Sequence, residues 1–460
     1  MNHSIQFESG LIKVSGIFNY QNKKDHRRFI QHGYETLPMI ELASNTSDEE
    51  KQSRIKGTKE FYKNVYYREF HGFLLSGDPG VDYTGNERES VKTLRKAIQQ
   101  TISFLKYNFQ LKQEVEHSVT IQSCELYLFP NQIGIFSITI EPDNWSAPAV
   151  SDLLLLSRNF NTPVKGAEKK LFHQWISEQL LCGIQLVGDN IQSDAFSGSK
   201  FKTYAILNLN ESLLDQSYQR DHLLYELGTC SLLDSISKNG HDAPSASYYE
   251  SIMSDKIAVF NNYTGLALLD SFTVIGQGHF TPLQQNAFTY HNWSRVYFSI
   301  YLFNLYMRFN LFKFNAEYAI HPVRYRDQFQ EFLNRYNFRH ISFNFLPNIL
   351  FSAMRKALMI DEEIEHFQER LQGLAAQLQE EQEKRQALLL TIISVLSAID
   401  TLDGIMEKLN EVKGFLGINS IVFYFLFAIA TLFAIAGLSY FLFPHHFNKF
   451  IKKINRWFRK

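Results

Sequence analysis

The chain has 460 residues, with 46 Lys and Arg against 47 Asp and Glu, a formal net charge of −1 and 45% apolar residues. It is too long for one small domain, too apolar for a disordered polymer and too balanced in charge for a dedicated nucleic-acid binder. Cys124, Cys182 and Cys230 are scattered, so no disulfide framework or cysteine-rich zinc site follows, and reduced cytosolic thiols are expected.

The opening stretch, MNHSIQFESG, lacks the basic start and apolar run of a secretory signal, and the region that follows is expected to be cytoplasmic. Residues 1–285 read as a mixed α and β domain. Asp78-Pro79-Gly80 is a turn signal, and Val91, Leu94, Ile98, Ile102 and Leu105 recur at helical spacing. Cys124–Phe129 and Ile135–Ile140, separated by Pro130-Asn-Gln-Ile-Gly134, predict strand, turn, strand. Leu171, Trp175, Ile176 and Leu180 predict an amphipathic helix. Ser235–Ser247 reads as a surface loop. Ile257–Phe260 and Leu266–Ile275 read as paired strands around Asn261-Asn262.

From about Gln285 the pattern is helical. Phe288–Tyr318 holds twelve aromatic residues, and its longest uncharged run, Val296–Met307, has twelve residues, too few to span a bilayer. A buried helix ending at His321-Pro322 is expected. Another helix follows through Phe329, Phe332 and Leu333, with an interruption near Leu346-Pro347. Residues 286–355 thus form a helical connector.

A heptad seam then runs through Ile360, Ile364, Phe367, Leu371, Leu374 and Leu378, and on through Leu388, Ile392, Val395, Ile399, Leu402, Met406 and Leu409. Such a seam predicts one helix of about 75 Å packed on other helices, with a coiled-coil stalk over 356–386. An ordinary long helix packed on its own domain is the alternative. Ile421–Phe443 is 23 consecutive uncharged residues, about 35 Å of helix and enough for a bilayer core. The tail at 444–460 carries Lys449, Lys452, Lys453, Arg456, Arg459 and Lys460, with Phe447, Phe450, Ile451, Ile454 and Trp457 between the cations. Those residues predict an amphipathic helix at the membrane interface, with a disordered basic stub as the alternative.

Short basic flanks stay cytoplasmic. With the first domain on the same side, a second crossing is needed, and the candidate is 387–406. Asp400 and Asp403 fall at its far end, where water begins. The loop Glu407–Gly417 holds two Glu and two Lys and has no cytoplasmic bias. A hairpin with spans at about 387–406 and 421–443 follows. A single tail anchor, with 387–409 in the cytosol, is the competing topology. The expected fold is therefore an α+β cytosolic domain, a long stalk helix and a C-terminal transmembrane hairpin, both termini cytoplasmic.

This order of parts resembles the CorA-type two-span metal-ion transporters over about residues 355–460. The resemblance implies an inner-membrane homopentamer, a first span lining a central path and a divalent cation as cargo. The family's Gly-Met-Asn signature is absent. Gly404-Ile405-Met406, followed by Glu407, takes its place, and Gly417-Ile418-Asn419 lies on the wrong side of the loop. The ion-path candidates are Ser394, Ser397, Asp400, Asp403, Gly404 and Met406. The two aspartates would form acidic rings in a symmetric assembly; if the apolar seam faces the axis, the wall is apolar and would gate by dewetting; and a third reading is that the aspartates only mark the outer boundary of the span.

No phosphate loop, zinc-protease helix or nucleophile elbow is present in the sequence, and no enzyme is expected. Asp221-His222 and His241-Asp242 read as loop residues rather than dyads. Lys23, Lys24, Arg27 and Arg28 read as a solvated face. The expected function is a homo-oligomeric cation channel or transporter gated by its cytosolic domain, with the lipid bilayer and further copies of itself as partners and no nucleic acid. The second reading is a membrane-tethered regulatory or defence effector whose cytosolic domain binds a small ligand, without ion selectivity.

Overall fold

The computed structural model describes residues 5–36, 63–75, 91–108, 112–166, 168–186, 200–210, 217–231, 233, 243–277, 292–318 and 322–416. Contacts divide the chain into a unit over 1–368 and another over 369–460. In order, the elements are β1 (Gln6–Asn19), α1 (Asn22–Gln31), β2 (Glu35–Thr36), α2 (Arg68–Leu75), β3 (Lys92–Asn108), β4 (Gln113–Leu128), β5 (Ile133–Ile140), β6 (Asp143–Ser146), α3 (Ala147–Arg158), β7 (Pro163–Lys165), β8 (Lys169–Leu171), α4 (Phe172–Gln179), β9 (Lys202–Leu209), α5 (Ser217–Thr229), α6 (Ala246–Met253), β10 (Tyr263–Ala267) and β11 (Ser271–Gln277). A π-helical turn (Asn292–Tyr297) then leads into α7 (Phe298–Tyr318), α8 (Pro322–Tyr336), α9 (Phe345–Ala357) and α10 (Ile360–Leu416).

The strands join in one mixed sheet, ordered β10-β11-β9-β1-β5-β4-β3-β7-β8, with β2 added on β3 and β6 on β1. The β9–β11 pair is parallel. Alternation sorts the side chains between two faces. On one, Ile12, Val14 and Phe18 of β1 join Phe136 and Ile138 of β5, Leu153 of α3, Trp175 of α4 and Leu224 of α5 in the main core. The opposite face lies under the π-helical turn and α7: Tyr204 donates to the Trp293 carbonyl at 2.8 Å, and Tyr127 meets Phe298 edge-on at 6.0 Å.

Close packing between β1 and β5 depends on Gly134, which pairs with Phe18. A Cβ built there would lie 2.4 Å from the Phe18 ring, which is fully buried and has no room to swing aside. Gly134→Ala is expected to destabilise the first unit by about 1–3 kcal/mol, read as a lower melting temperature with an unchanged far-UV spectrum.

The apolar run at Val296–Met307 is a buried helix, as its length predicts. Ile300, Phe303, Leu305, Tyr306 and Met307 are all fully buried, so α7 is enclosed on every side, the setting that an all-round apolar helix requires. Pro322 opens α8, where its missing N–H is not needed. The hairpin β4–β5 and the helix at Phe172–Gln179 also form as expected.

Two expectations are corrected. Val91–Leu105 is a strand, not a helix. Leu94, Ile102 and Phe104 alternate onto the core face, but the register shifts between Ala97 and Gln100, where Gln99 has φ +48°. Ile98 packs on the same core, so 94, 98 and 102 are every second position of the alternation, and only Val91 and Leu105, outside that core, complete the helix-like steps of three. The hairpin expected around Asn261-Asn262 turns instead at Leu268–Ser271, pairing β10 with β11. Ile257 contributes only an isolated bridge to Gly265. The interruption expected near Leu346-Pro347 is present, between Tyr336 at the end of α8 and Phe345 at the start of α9, and Pro347 lies in the first turn of α9, where proline leaves no hydrogen bond unmade.

The junction into α10 is fixed within the first unit. Met359 has φ +53°, and the Arg308 guanidinium donates to the Leu358 carbonyl beside it. Arg355 donates to Asp361 at 2.8 Å, Asn315 to Glu363 at 3.2 Å, and the Phe367 ring packs at a tilt against Phe329, centroids 4.2 Å apart.

Candidate functional site

The sequence points to two places: the long helix, through its candidate path residues, and the domain before it, through its expected ligand. Ile360–Leu416 is one continuous helix of 57 residues, about 85 Å. It carries Ser394, Ser397, Asp400, Asp403, Gly404 and Met406. At about 100° per residue, the backbone positions of Ser394 and Asp403 fall on opposite sides, so the six do not share one face. Ser394 donates to the Leu390 carbonyl and Thr391 to the Ala387 carbonyl, each at 2.7 Å, which satisfies both hydroxyls within the helix. Nothing approaches within 4 Å of where a Gly404 side chain would begin. Lys449, Lys452, Lys453, Arg456, Trp457 and Arg459, the 421–443 span and the Ser235–Asp242 part of the expected loop lie outside the described residues.

Leu388, Leu389, Leu390, Ile392, Ile393 and Leu396 are between 47% and 64% exposed. Leu388 and Ile392 belong to the heptad seam. Leu389, Leu390, Ile393 and Leu396 do not, so the exposed apolar surface widens to roughly 200° of the circumference, with Thr391 and Ser394 in the remaining sector. Among the described residues, no helix is long and apolar enough to cross a membrane. The uncharged run here, 387–399, has thirteen residues, about 20 Å.

In the first unit, chemistry gathers where the sequence showed no motif. β1 buries Lys13 on its α7-facing side, next to Glu125 of β4 and Arg295 of the π-helical turn. Glu125 Oε2 accepts from Lys13 Nζ at 2.7 Å and from the Tyr127 hydroxyl at 2.6 Å, while Oε1 faces Arg295 at 3.0 Å. Lys13 Nζ also lies 4.3 Å from the centre of the Phe298 ring, a cation–π contact. Arg95 on β3 pairs in register with Glu125 and reaches the Ser123 hydroxyl at 3.4 Å. The cluster ties three strands to the helical layer with buried charge.

Burial raises the Glu125 carboxyl, but Arg295, Lys13 and their hydrogen bonds outweigh it and hold the group at about 2. Lys13 moves down to about 8: burial disfavours its ammonium, and Arg295 and Arg95 oppose the support it gains from Glu125. The signs set opposite pH windows. For Glu125, stability is fully present above about 4.5 and is lost as pH falls towards 2. Between pH 8 and 10.5 the unfolded chain holds a proton on Lys13 that the folded chain has released, so stability rises with pH. From pH 7 to 9.5 the wild-type chain is expected to gain up to about 2 kcal/mol relative to Lys13→Met, measured by paired melting curves.

Of the remaining residues singled out in the sequence, Asp221 pairs with Lys256 at 2.5 Å and His222 packs edge-on to Tyr249. Both lie on α5 rather than in a loop. Lys24, Arg27 and Arg28 are exposed on α1, a solvated face. Among the described residues, no cluster of His, Cys, Asp and Glu could hold a metal ion. The Lys13–Glu125–Arg295 cluster had one sequence signal, a lysine inside the apolar run Leu11–Phe18. Glu125 repeats it inside Cys124–Phe129. No known protein family, curated protein or solved structure matches this chain.

Proposed function

We propose that the chain is a CorA-like integral membrane protein, a homo-oligomeric cation channel or transporter whose α+β unit gates the path. The observation that carries this reading is the broad, exposed apolar face of the long helix. A coiled coil buries only its seam, whereas Leu389, Leu390, Ile393 and Leu396 lie off the seam and are exposed. Apolar surface over more than half of a helix's circumference calls for lipid or for a surrounding assembly. The 23 uncharged residues at 421–443 support a neighbouring span, and the basic tail supports a cytoplasmic end for it.

In this arrangement the first span is the inner one. Ringed by the second spans of the oligomer, it tolerates Ser394, Ser397, Asp400 and Asp403, which lipid would penalise. The junction at Leu358–Asp361, held by Arg308 and Arg355, gives the α+β unit a grip on the same helix. A divalent cation is the cargo that fits the resemblance.

Liposomes carrying the purified full-length chain provide the test. Magnesium and potassium flux above empty liposomes is expected, with Asp400→Asn/Asp403→Asn lowering it at least severalfold. A purified oligomer that passes neither ion removes the reading. The membrane-tethered effector would then stand, and one observation favours it: Gly404-Ile405-Met406-Glu407 replaces the signature that closes the CorA path.

A further inference from the structure

On the sheet face beneath α7, a patch of hydroxyl side chains lies where apolar residues would pack as well. Ser15 on β1 pairs in register with Ser137 on β5, and Lys13 with Thr139. On β4, Glu125 stands beside Ser137 and Ser123 beside Thr139. Ser15, Ser137 and Thr139 therefore form one contiguous tile, with exposures of 0%, 0% and 5%. None of their three hydroxyl oxygens has a hydrogen-bond partner within the protein. Lys13 directs one hydrogen bond to Glu125, and an ammonium has three donors.

A buried hydroxyl without a partner costs about 1–3 kcal/mol. Three side by side, next to a buried ammonium, match the demand of one chemical class. An oxyanion accepts from several donors at once and gains from the positive charge, whereas a cation would be repelled by Lys13. Glu125, adjacent to Ser137, repels an anion. Ser15 is two strands away from Glu125, roughly 10 Å, so the favourable position lies towards Ser15 and Thr139.

We propose that Ser15, Ser137, Thr139 and Lys13 bind a phosphate-like oxyanion, free or as the terminal group of a small molecule, between the sheet and the π-helical turn that carries Arg295. The site names a ligand class for the α+β unit and stands independently of ion conduction, because binding is read without flux.

The full-length protein in detergent is titrated calorimetrically with inorganic phosphate, sulfate and phenyl phosphate at constant ionic strength, with chloride as the control. Saturable binding of at least one of the three oxyanions is expected. Tighter binding of phenyl phosphate would mark a carried phosphate, and tighter binding of inorganic phosphate a free one. Ser15→Ala and Ser137→Ala are each expected to weaken binding by about ten-fold or more. Both variants should fold, because each removes a hydroxyl that the packing leaves without a partner. No saturable binding of any of the three, or unchanged affinity in both variants, would overturn the assignment and leave the tile to internal water.

Discussion

Glu125→Ala is expected to destabilise the α+β unit by about 3–5 kcal/mol. The change removes the carboxylate that two cations share: Lys13 at 2.7 Å and Arg295 at 3.0 Å. It also removes the acceptor of the buried Tyr127 hydroxyl. Lys13 cannot reach water without parting the sheet from the π-helical turn, whereas Arg295 is partly exposed. Lys13→Met should cost much less, because a flexible apolar side chain fills similar space and Glu125 keeps Arg295 and Tyr127. Denaturant melts of the two variants under matched conditions check the ordering. Equal losses would mean that the cluster acts through packing rather than through charge.

The sequence exposed these elements unevenly, for physical reasons. The β4–β5 hairpin and the buried helix through Val296–Met307 were legible because local pattern and tertiary role agree in each. β3 was not, because Leu94, Ile98 and Ile102 recur every fourth residue, a spacing that a strand face and a helix face share. Pro347 marked the break before α9 correctly, because proline fits the first turn of a helix but not its interior. The charged cluster joins residues 112 positions apart, Lys13 and Glu125, through strand register that no local motif encodes. Its one trace is a pair of charges inside apolar strand runs. The hydroxyl tile left less still, since serine and threonine are common on either face of a strand.

Leu390→Arg/Ile393→Arg is expected to abolish membrane insertion of the proposed first span. On the translocation scale each substitution changes a residue worth about −0.3 to −0.6 kcal/mol at a helix centre into one costing about 2.5–3.5, so the pair shifts the balance by roughly 6–8 kcal/mol. In a cytosolic helix the same changes would be close to neutral, because both side chains are exposed, at 64% and 57%, and arginine favours helix as well as leucine does. The two environments therefore differ by an amount that no ordinary surface effect can imitate. The readout is Glu411→Cys, placed in the loop between the proposed spans and labelled in intact cells with a membrane-impermeant maleimide. In the parent chain the cysteine should react from outside; with the two arginines added it should be protected. Protection in the parent as well would eliminate the hairpin, leave a single span at 421–443, and take from Asp400 and Asp403 any place along a transmembrane path.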